Sequence, residues 1–302
     1  MTTAKSSGVA RVVGVGASAL SPFTAGAARR LQTPILSIVT VVRDDEDGLQ
    51  ATLDSVLSQR RGLNKTEIIV VDAASTDGSV DRARARLRRR DTLISEPDSG
   101  VYDGMNKGWR ASRGRFVQFL NSGDTLHDVH SLGAIIDALA ANPDARWLIG
   151  RARHLKGGVG RAGIIDNIPH VWWRHAMGHQ SHCHQATFFS RTILDVMDGY
   201  ALDVGFVSDF DLIMRCGVVA SPVELDRVIV DYEGGGLSAV LREQIPQMLH
   251  DVRVRRLGLS DDALQAEEAL LPAHHREILD AASGDDNRGR HGTMSAGSDV
   301  DH

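Results

Sequence analysis

Acidic and small polar residues stand directly after four apolar, strand-like runs of this sequence. They fall at 40–44, 72–77, 96–99 and 121–124. Such residues suit turns and helix N-caps, because their side chains bond to nearby backbone amides. Carboxylate and amide oxygens are also ligands for divalent cations such as Mg2+. The same pattern is therefore typical of a ligand site at the ends of strands.

Strands and helices alternate in the segments that must position these residues. The apolar patterns predict strands at 35–42, 67–73, 92–95 and 115–120, with helices at 47–59, from about 78 to 90 and at 101–111. This alternation predicts an α/β fold with a mostly parallel sheet flanked by helices. In such sheets, ligands bind beyond the carboxyl ends of the strands, where the polar groups stand.

Composition narrows the class of protein. The chain has 302 residues, of which 42% are hydrophobic and 24% charged, as in a soluble globular protein. A net charge of -5 argues against nucleic acid as a partner, since affinity for phosphate backbones comes from clustered Lys and Arg. The two cysteines, Cys183 and Cys216, fit a reducing compartment. No apolar run is long enough to cross a bilayer, so we expect a cytoplasmic protein.

Five segments in order resemble a known enzyme family. They are EIIVVDAASTDGS, SEPDSGVYDGMNKGWRASRGRFVQFLNSGD, HCHQATFFSR, SDFDLIMRC and YEGGGLS. Together they resemble the inverting family 2 glycosyltransferases with the GT-A fold, in the branch that acts in bacterial polysaccharide and glycolipid assembly. The resemblance covers residues 34–240 and implies a nucleotide-sugar donor with a saccharide or lipid-linked acceptor.

The resemblance also divides the chain into parts. Residues 34–125 correspond to the nucleotide-sugar half and 126–240 to the acceptor half. Residues 241–282 have helical spacing outside the resemblance. Residues 1–33 and 283–302 contain few patterned apolar residues, and we expect both to be disordered.

The family holds Mg2+ or Mn2+ with an Asp-x-Asp motif after its fourth strand. Here the two motif positions are Asn121 and Gly123, and Asp124 follows. The resemblance makes Asp124 the expected metal ligand, with Asn121 contacting ribose or a metal-bound water. A structural alternative is that Asp124 caps a helix beginning near His127.

Further donor-binding residues follow from position at the strand ends and from the resemblance. The expected set is Thr40, Asp72, Asp98, Asn106, Lys107 and Asn121. Asp72 would contact the base or the ribose. Lys107 would approach a phosphate, unless it is an ordinary solvated lysine on its helix.

An inverting transfer needs a general base for the acceptor hydroxyl. The family's acidic motif matches Ser208-Asp209-Phe210-Asp211, which makes Asp209 the expected catalytic base. We place Asp211, His184 and Gln185 on the acceptor side, although Asp211 could instead support the start of its helix.

Two other clusters leave alternatives open. Five histidines lie within 170–184 beside Cys183, where a zinc site, an acceptor contact and plain packing are all consistent with the pattern. Six arginines lie within 81–91. They indicate a solvated helix face or, alternatively, attraction to anionic lipid headgroups at the inner face of the plasma membrane.

The sequence thus predicts an inverting glycosyltransferase that depends on a divalent metal. One rival is a non-catalytic nucleotide-sugar or carbohydrate-binding protein, because Asn121, Gly123 and Ser208 depart from the motifs. Another is a sugar nucleotidyltransferase, which would need a glycine-rich basic loop after the first strand. Residues 40–44 do not provide that loop.

Overall fold

The structure is a computed structural model that describes residues 33–155, 163–165, 167–234, 240–241, 243–260 and 262–263. The expectations for residues 1–32, for 283–302 and for the helical stretch from 264 to 282 lie outside these ranges. The other elements can be compared with the predictions directly.

Nine strands form one sheet in the described part of the chain. They are β1 (Leu36–Val42), β2 (Thr66–Asp72), β3 (Thr92–Ser95), β4 (Phe116–Phe119), β5 (Thr125–Leu126), β6 (Trp147–His154), β7 (Gly163–Ile164), β8 (Thr187–Ser190) and β9 (Val223–Tyr232). Their order is β3-β2-β1-β4-β8-β6-β9-β5, and β7 pairs with β6. The first four strands in this order are parallel, which confirms the predicted α/β fold. The added pairs are antiparallel, apart from β6 with β9.

Helices cover both faces of the sheet. They are α1 (Glu46–Leu57), α2 (Ser79–Arg86), α3 (Val101–Ala111), α4 (Ser131–Ala141), α5 (Trp172–Ala176), α6 (Arg191–Met197), α7 (Ser208–Val219) and α8 (Ile245–Leu257), with 3-10 turns at Leu63–Lys65, His184–Ala186 and Leu202–Val207. Strand β1 is buried along its whole length. Leu36 and Ile38 face the core beneath α1 and α4, whereas Val39 and Val41 face the core beneath α3 and α7.

The arginines of α2 and the turn after it pair within the protein. Arg82 bonds to Glu46 at 2.6 Å, Arg86 bonds to Asp54, and Arg88 bonds to Asp91 at 2.7 Å. These pairs join α2 to α1 and close the turn before β3. Arg84, Arg86 and Arg89 are nevertheless exposed, which agrees with the interpretation as a largely solvated face.

The C-terminal helix α8 is fastened to α7 through one buried carboxylate. Asp211 on α7 has no solvent exposure. Its oxygens accept hydrogen bonds from Arg215 of the same helix at 2.7 Å and from Arg256 of α8 at 2.6 Å. This ion pair holds α8 against α7. The chain thus forms a helix beyond residue 241, as predicted.

Candidate active site

A cleft of about 700 Å³ lies beyond the carboxyl ends of β1 and β4. Its lining comes from the loops after those strands, the first turn of α3, the segment before β8, the start of α7 and the end of β9. Four carboxylates line it: Asp45, Asp124, Asp209 and Glu233. Among the described residues, the lining contains no lysine or arginine.

Asp124 is a buried carboxylate at the floor of this cleft. Only 4% of its surface is exposed. Gln185 Nε2 donates to its Oδ2 at 2.9 Å, and the backbone amide of Glu233 donates to its Oδ1 at 3.1 Å. Burial raises the pKa of the Asp124 carboxyl to about 7, because the hydrogen bonds compensate only partly for lost hydration.

The capping alternative for Asp124 is wrong. Strand β5 begins at the next residue, and α4 begins only at Ser131, with His130 as its N-cap. The side chain of Asp124 instead joins the end of β9 to the turn before β8.

The residues around Asp124 fit a hard divalent cation. The side-chain oxygen of Asn121 is buried and has no hydrogen-bond partner among the described residues, although Asn121 lines the same cleft. An amide oxygen and a carboxylate are suitable ligands for Mg2+ or Mn2+. No group of three or more His, Cys, Asp or Glu side chains is placed to hold a metal within the described ranges. A cation here would therefore depend on amide oxygens and on the phosphates of a ligand.

Asp209 stands at the start of α7, on another wall of the cleft. The hydroxyl of Tyr102, from the first turn of α3, lies 3.1 Å from Asp209 Oδ1 and 2.8 Å from the backbone oxygen of Phe206. Burial and then the charge of Asp209 raise the pKa of Tyr102, so its hydroxyl stays protonated and can donate. Asp209 Oδ2 accepts no hydrogen bond from any described residue.

His184 and Gln185 are neighbours in one 3-10 turn, but their side chains contact different parts of the cleft lining. His184 Nδ1 lies 3.2 Å from the hydroxyl of Tyr200. Burial lowers the pKa of His184, with the charge of Asp209 acting in the opposite direction, so its imidazole is neutral at pH 7. Gln185 bonds to Asp124 and accepts a hydrogen bond from the Cys183 thiol. The prediction placed both residues on the acceptor side, whereas the side chain of Gln185 holds the expected metal ligand.

Several residues of the expected donor set lie outside the cleft lining. Asn106 is buried, and its side chain bonds to both backbone groups of Tyr200. Lys107 donates to the backbone oxygen of Pro97 and pairs with Glu96. Both are held within the fold, because their positions on α3 point them toward its neighbours.

Of the remaining expected residues, Thr40 and Asp72 are buried and Asp98 is partly exposed. Asp72 is fully buried and accepts hydrogen bonds from the Ser75 amide and the Ser95 hydroxyl. Thr40 is buried within β1, and Asp98 accepts from the Gly100 amide. Asp211 is buried against Arg215 and Arg256, a structural role that differs from the expected support of its helix start, where no side chain caps the helix. Of the expected residues, the structure brings together Asn121, Asp124, His184, Gln185 and Asp209.

His170, His175 and His182 pack against each other beside the cleft, whereas His179 contacts Trp173. His170 Nδ1 lies 3.0 Å from His182 Nε2, and the rings of His175 and His182 are 4.9 Å apart. Burial lowers the pKa of His170 to about 4 and that of His182 to about 2, so both are neutral. The arrangement favours packing over a zinc site.

Sequence reasoning missed Tyr102 and Glu233. Tyr102 lies next to the expected Asp98 group, but only the three-dimensional fold shows that its hydroxyl reaches Asp209. Glu233 lies in YEGGGLS, one of the segments that carry the resemblance, but the prediction gave it no role.

Comparisons with known proteins agree with this geometry. The model of the family "Glycosyl transferase family 2" matches residues 37–181. An uncharacterized glycosyltransferase of Mycobacterium tuberculosis is 31% identical over 207 residues, covering 68% of this chain and 78% of the relative. A PGL/p-HBAD biosynthesis glycosyltransferase of Mycobacterium bovis is 27% identical over 216 residues, covering 69% of this chain and 80% of that one.

Solved structures share the fold at low identity. TarS of S. aureus in complex with UDP-GlcNAc has a TM-score of 0.56 at 16% identity, covering 83% of this chain and 80% of that chain. The mannosyltransferase PcManGT from Pyrobaculum calidifontis, in complex with GDP-Man and Mn2+, has a TM-score of 0.57 at 17% identity, covering 83% and 73%. The predicted GT-A fold is confirmed. On the family match and the relative at 31% identity, this chain belongs to glycosyltransferase family 2.

Proposed function

We propose that this enzyme transfers a sugar, with inversion, from a nucleotide-sugar donor to a saccharide or lipid-linked acceptor, and that it uses Mg2+ or Mn2+. The observation that carries the proposal is the pairing of two carboxylates with different surroundings in one cleft. Asp124 is buried and held by hydrogen bonds, whereas Asp209 is half-buried with one oxygen open.

Asp209 is the proposed general base. Its open Oδ2 takes the proton of the acceptor hydroxyl as that oxygen bonds to the anomeric carbon of the donor sugar. The bond from that carbon to the diphosphate breaks on the opposite face, and the electron pair leaves with the diphosphate. Tyr102 helps to orient the carboxylate, because its one hydroxyl proton is shared between Asp209 Oδ1 and the Phe206 backbone oxygen, which leaves Oδ2 for the acceptor.

Asp124 and Asn121 are the proposed holders of the cation on the donor side. When bound, a divalent cation neutralises the charge that grows on the departing diphosphate. The described lining contains four carboxylates and no lysine or arginine, so an anionic donor would otherwise be repelled. Gln185 keeps Asp124 in place by donating to its Oδ2.

The donor and acceptor classes are supported by similar proteins. TarS is seen with UDP-GlcNAc and PcManGT with GDP-Man and Mn2+, so a nucleotide diphosphate sugar is the donor class that we propose. A relative named for PGL/p-HBAD biosynthesis supports a glycolipid or glycan acceptor. No helix in the described ranges is long and apolar enough to span a membrane.

Thermal unfolding against a panel of UDP-, GDP- and dTDP-sugars, with and without MnCl2, tests the donor site. A ligand of the native state stabilises it by about 2.7 kcal/mol at a hundredfold excess over Kd. We expect one nucleotide to raise the Tm, and only when Mn2+ is present. A shift without metal would remove the cation from the proposal, and no shift with any donor would contradict the donor site.

Donor hydrolysis, with water as the acceptor, tests the base. We expect Asp209→Asn to lower the rate by at least about a hundredfold while the thermal shift with donor and Mn2+ persists. Asp203→Asn is the matched control, because Asp203 is exposed and pairs with Arg255 outside the cleft lining. A loss of only a few-fold in Asp209→Asn would exclude Asp209 as the base.

A further inference from the structure

The expected cation site lacks a carboxylate where the family motif has one. Asn121 and Gly123 occupy the two motif positions, which leaves Asp124 as the one acid of this loop. A single carboxylate is a weak anchor for a divalent cation in water, because cation affinity rises with the number of charged ligands. The surroundings of Gly123 show where a second carboxylate for this site comes from.

A second carboxylate occupies the space beside Gly123. A Cβ atom built at Gly123 would lie 2.7 Å from Oε2 of Glu233, closer than real Cβ contacts come. Gly123 also has φ +90°, which disfavours any side chain. The backbone conformation therefore favours glycine here, and the carboxylate of Glu233 lies in the space that a side chain at position 123 would enter.

The register of β5 and β9 explains why these residues meet. The two strands are antiparallel, with Thr125 opposite Asp231 and Leu126 opposite Val230. Counting two residues back from Thr125 and two residues forward from Asp231 brings position 123 opposite position 233. The hydrogen bond from the Glu233 amide to Asp124 Oδ1, at 3.1 Å, continues this contact beyond the strands.

The two carboxylates also interact through their charges. Asp124 and Glu233 line the same cleft, so their negative charges repel each other. Two acids held together cost free energy unless something positive lies between them. The same lining offers a further oxygen ligand, because the buried side-chain oxygen of Asn121 has no hydrogen-bond partner among the described residues.

We propose that Glu233 supplies the second carboxylate of the cation site, taking over the role of the acid that Gly123 cannot carry. The cation is then held by Asp124 and Glu233 with the Asn121 oxygen, from two chain segments instead of one loop. This inference rests on the proposed use of a divalent cation.

Mn2+ binding, followed by the loss of the free-ion electron paramagnetic resonance signal, tests the inference without any need for turnover. Titrations are made with the full chain and UDP, GDP or dTDP. We expect Glu233→Gln to weaken Mn2+ binding at least about tenfold and Asp124→Asn to weaken it as much or more. Glu243→Gln, an exposed residue that does not line the cleft, serves as the matched control and should stay within about twofold of wild type.

Stability of the metal-free protein separates loss of a ligand from misfolding. Glu233→Gln should still unfold cooperatively in a chelator, as wild type does, while its Mn2+ affinity falls. Unchanged Mn2+ affinity in Glu233→Gln, with Asp124→Asn impaired, overturns the role of Glu233 and leaves the transferase proposal standing. Wild type that binds nucleotide but no Mn2+ overturns the cation site. Wild type that binds no nucleotide overturns the proposed function as well.

Discussion

At the scale of single residues, the cleft separates two acids by their surroundings. Asp124 is surrounded by hydrogen-bond donors and shielded from water, and Asp209 is half-buried at a helix start beside Tyr102. Such a difference is common where two carboxylates share a site but perform different tasks. The buried carboxylate of Asp124 should have a measurable effect on stability when no metal is bound.

As the pH rises from about 4 to about 7, the free energy of unfolding of the metal-free protein should fall because of Asp124. Its pKa is about 7 in the folded protein against an ordinary 3.8, so the folded state binds more protons in this range. Relative to Asp124→Asn, wild type should lose about 3 kcal/mol between pH 5 and pH 9. Urea unfolding at a series of pH values in a chelator measures this difference. Asp137→Asn, at an exposed ion pair with Arg61, should show no such trend, and parallel curves for Asp124→Asn and wild type would contradict the raised pKa.

The sequence predicted which residues stand near the site better than it predicted where their side chains point. Asp124 and Asp209 could be placed because they follow recognisable segments, and both line the cleft. Asn106 and Lys107 also stand near a strand end, but side-chain direction on α3 turns them away. Direction depends on which neighbours the helix packs against, and those neighbours come from distant parts of the chain.

At the scale of elements, the alternating pattern predicted the first four strands and three helices closely. Strand β3 and helix α3 have the predicted bounds, because both end at sharp changes from apolar to polar residues. The long strand β9 was not predicted. Its first half alternates between exposed and partly exposed residues, so it lacks the apolar run that marked the other strands.

The attachment of α8 gives a prediction at this scale. Asp211→Asn leaves two arginines without their shared acid, and breaking a buried pair costs about 3 kcal/mol or more. Asp203→Asn breaks an exposed pair with the same helix and should cost about 1 kcal/mol at most. Urea midpoints measure both costs. Nucleotide and Mn2+ binding should persist in folded Asp211→Asn, and its selective loss would return Asp211 to the substrate site.

At the scale of the whole molecule, the cleft joins the two predicted halves of the catalytic region. Asn121 and Asp124 precede residue 126, whereas His184, Asp209 and Glu233 follow it. The division into halves was visible in the sequence as two sets of motifs. The contacts across it were not, since they depend on pairings between residues far apart in the chain.

Ligand binding should therefore stabilise the β5–β9 pairing selectively. We expect amide hydrogen exchange at His127, whose amide donates to the Ile229 oxygen at 3.0 Å, to slow when nucleotide and Mn2+ are added, because the proposed ligands flank this short pairing. Amides in the middle of β2 should change little, since that strand is already fully buried. Equal slowing of both regions would indicate general stabilisation instead of a cation held at this ladder.

The β5–β9 register has a consequence for how such sites could evolve. If the charge of the site is set by which residue of β9 stands opposite Gly123, a one-residue insertion in β9 would bring Tyr232 there in place of Glu233, and a one-residue deletion would bring Gly234. Relatives could then gain or lose cation dependence by a change in strand length, without any substitution in the loop at 121–124. A survey that inspects that loop alone would class both outcomes as the same enzyme.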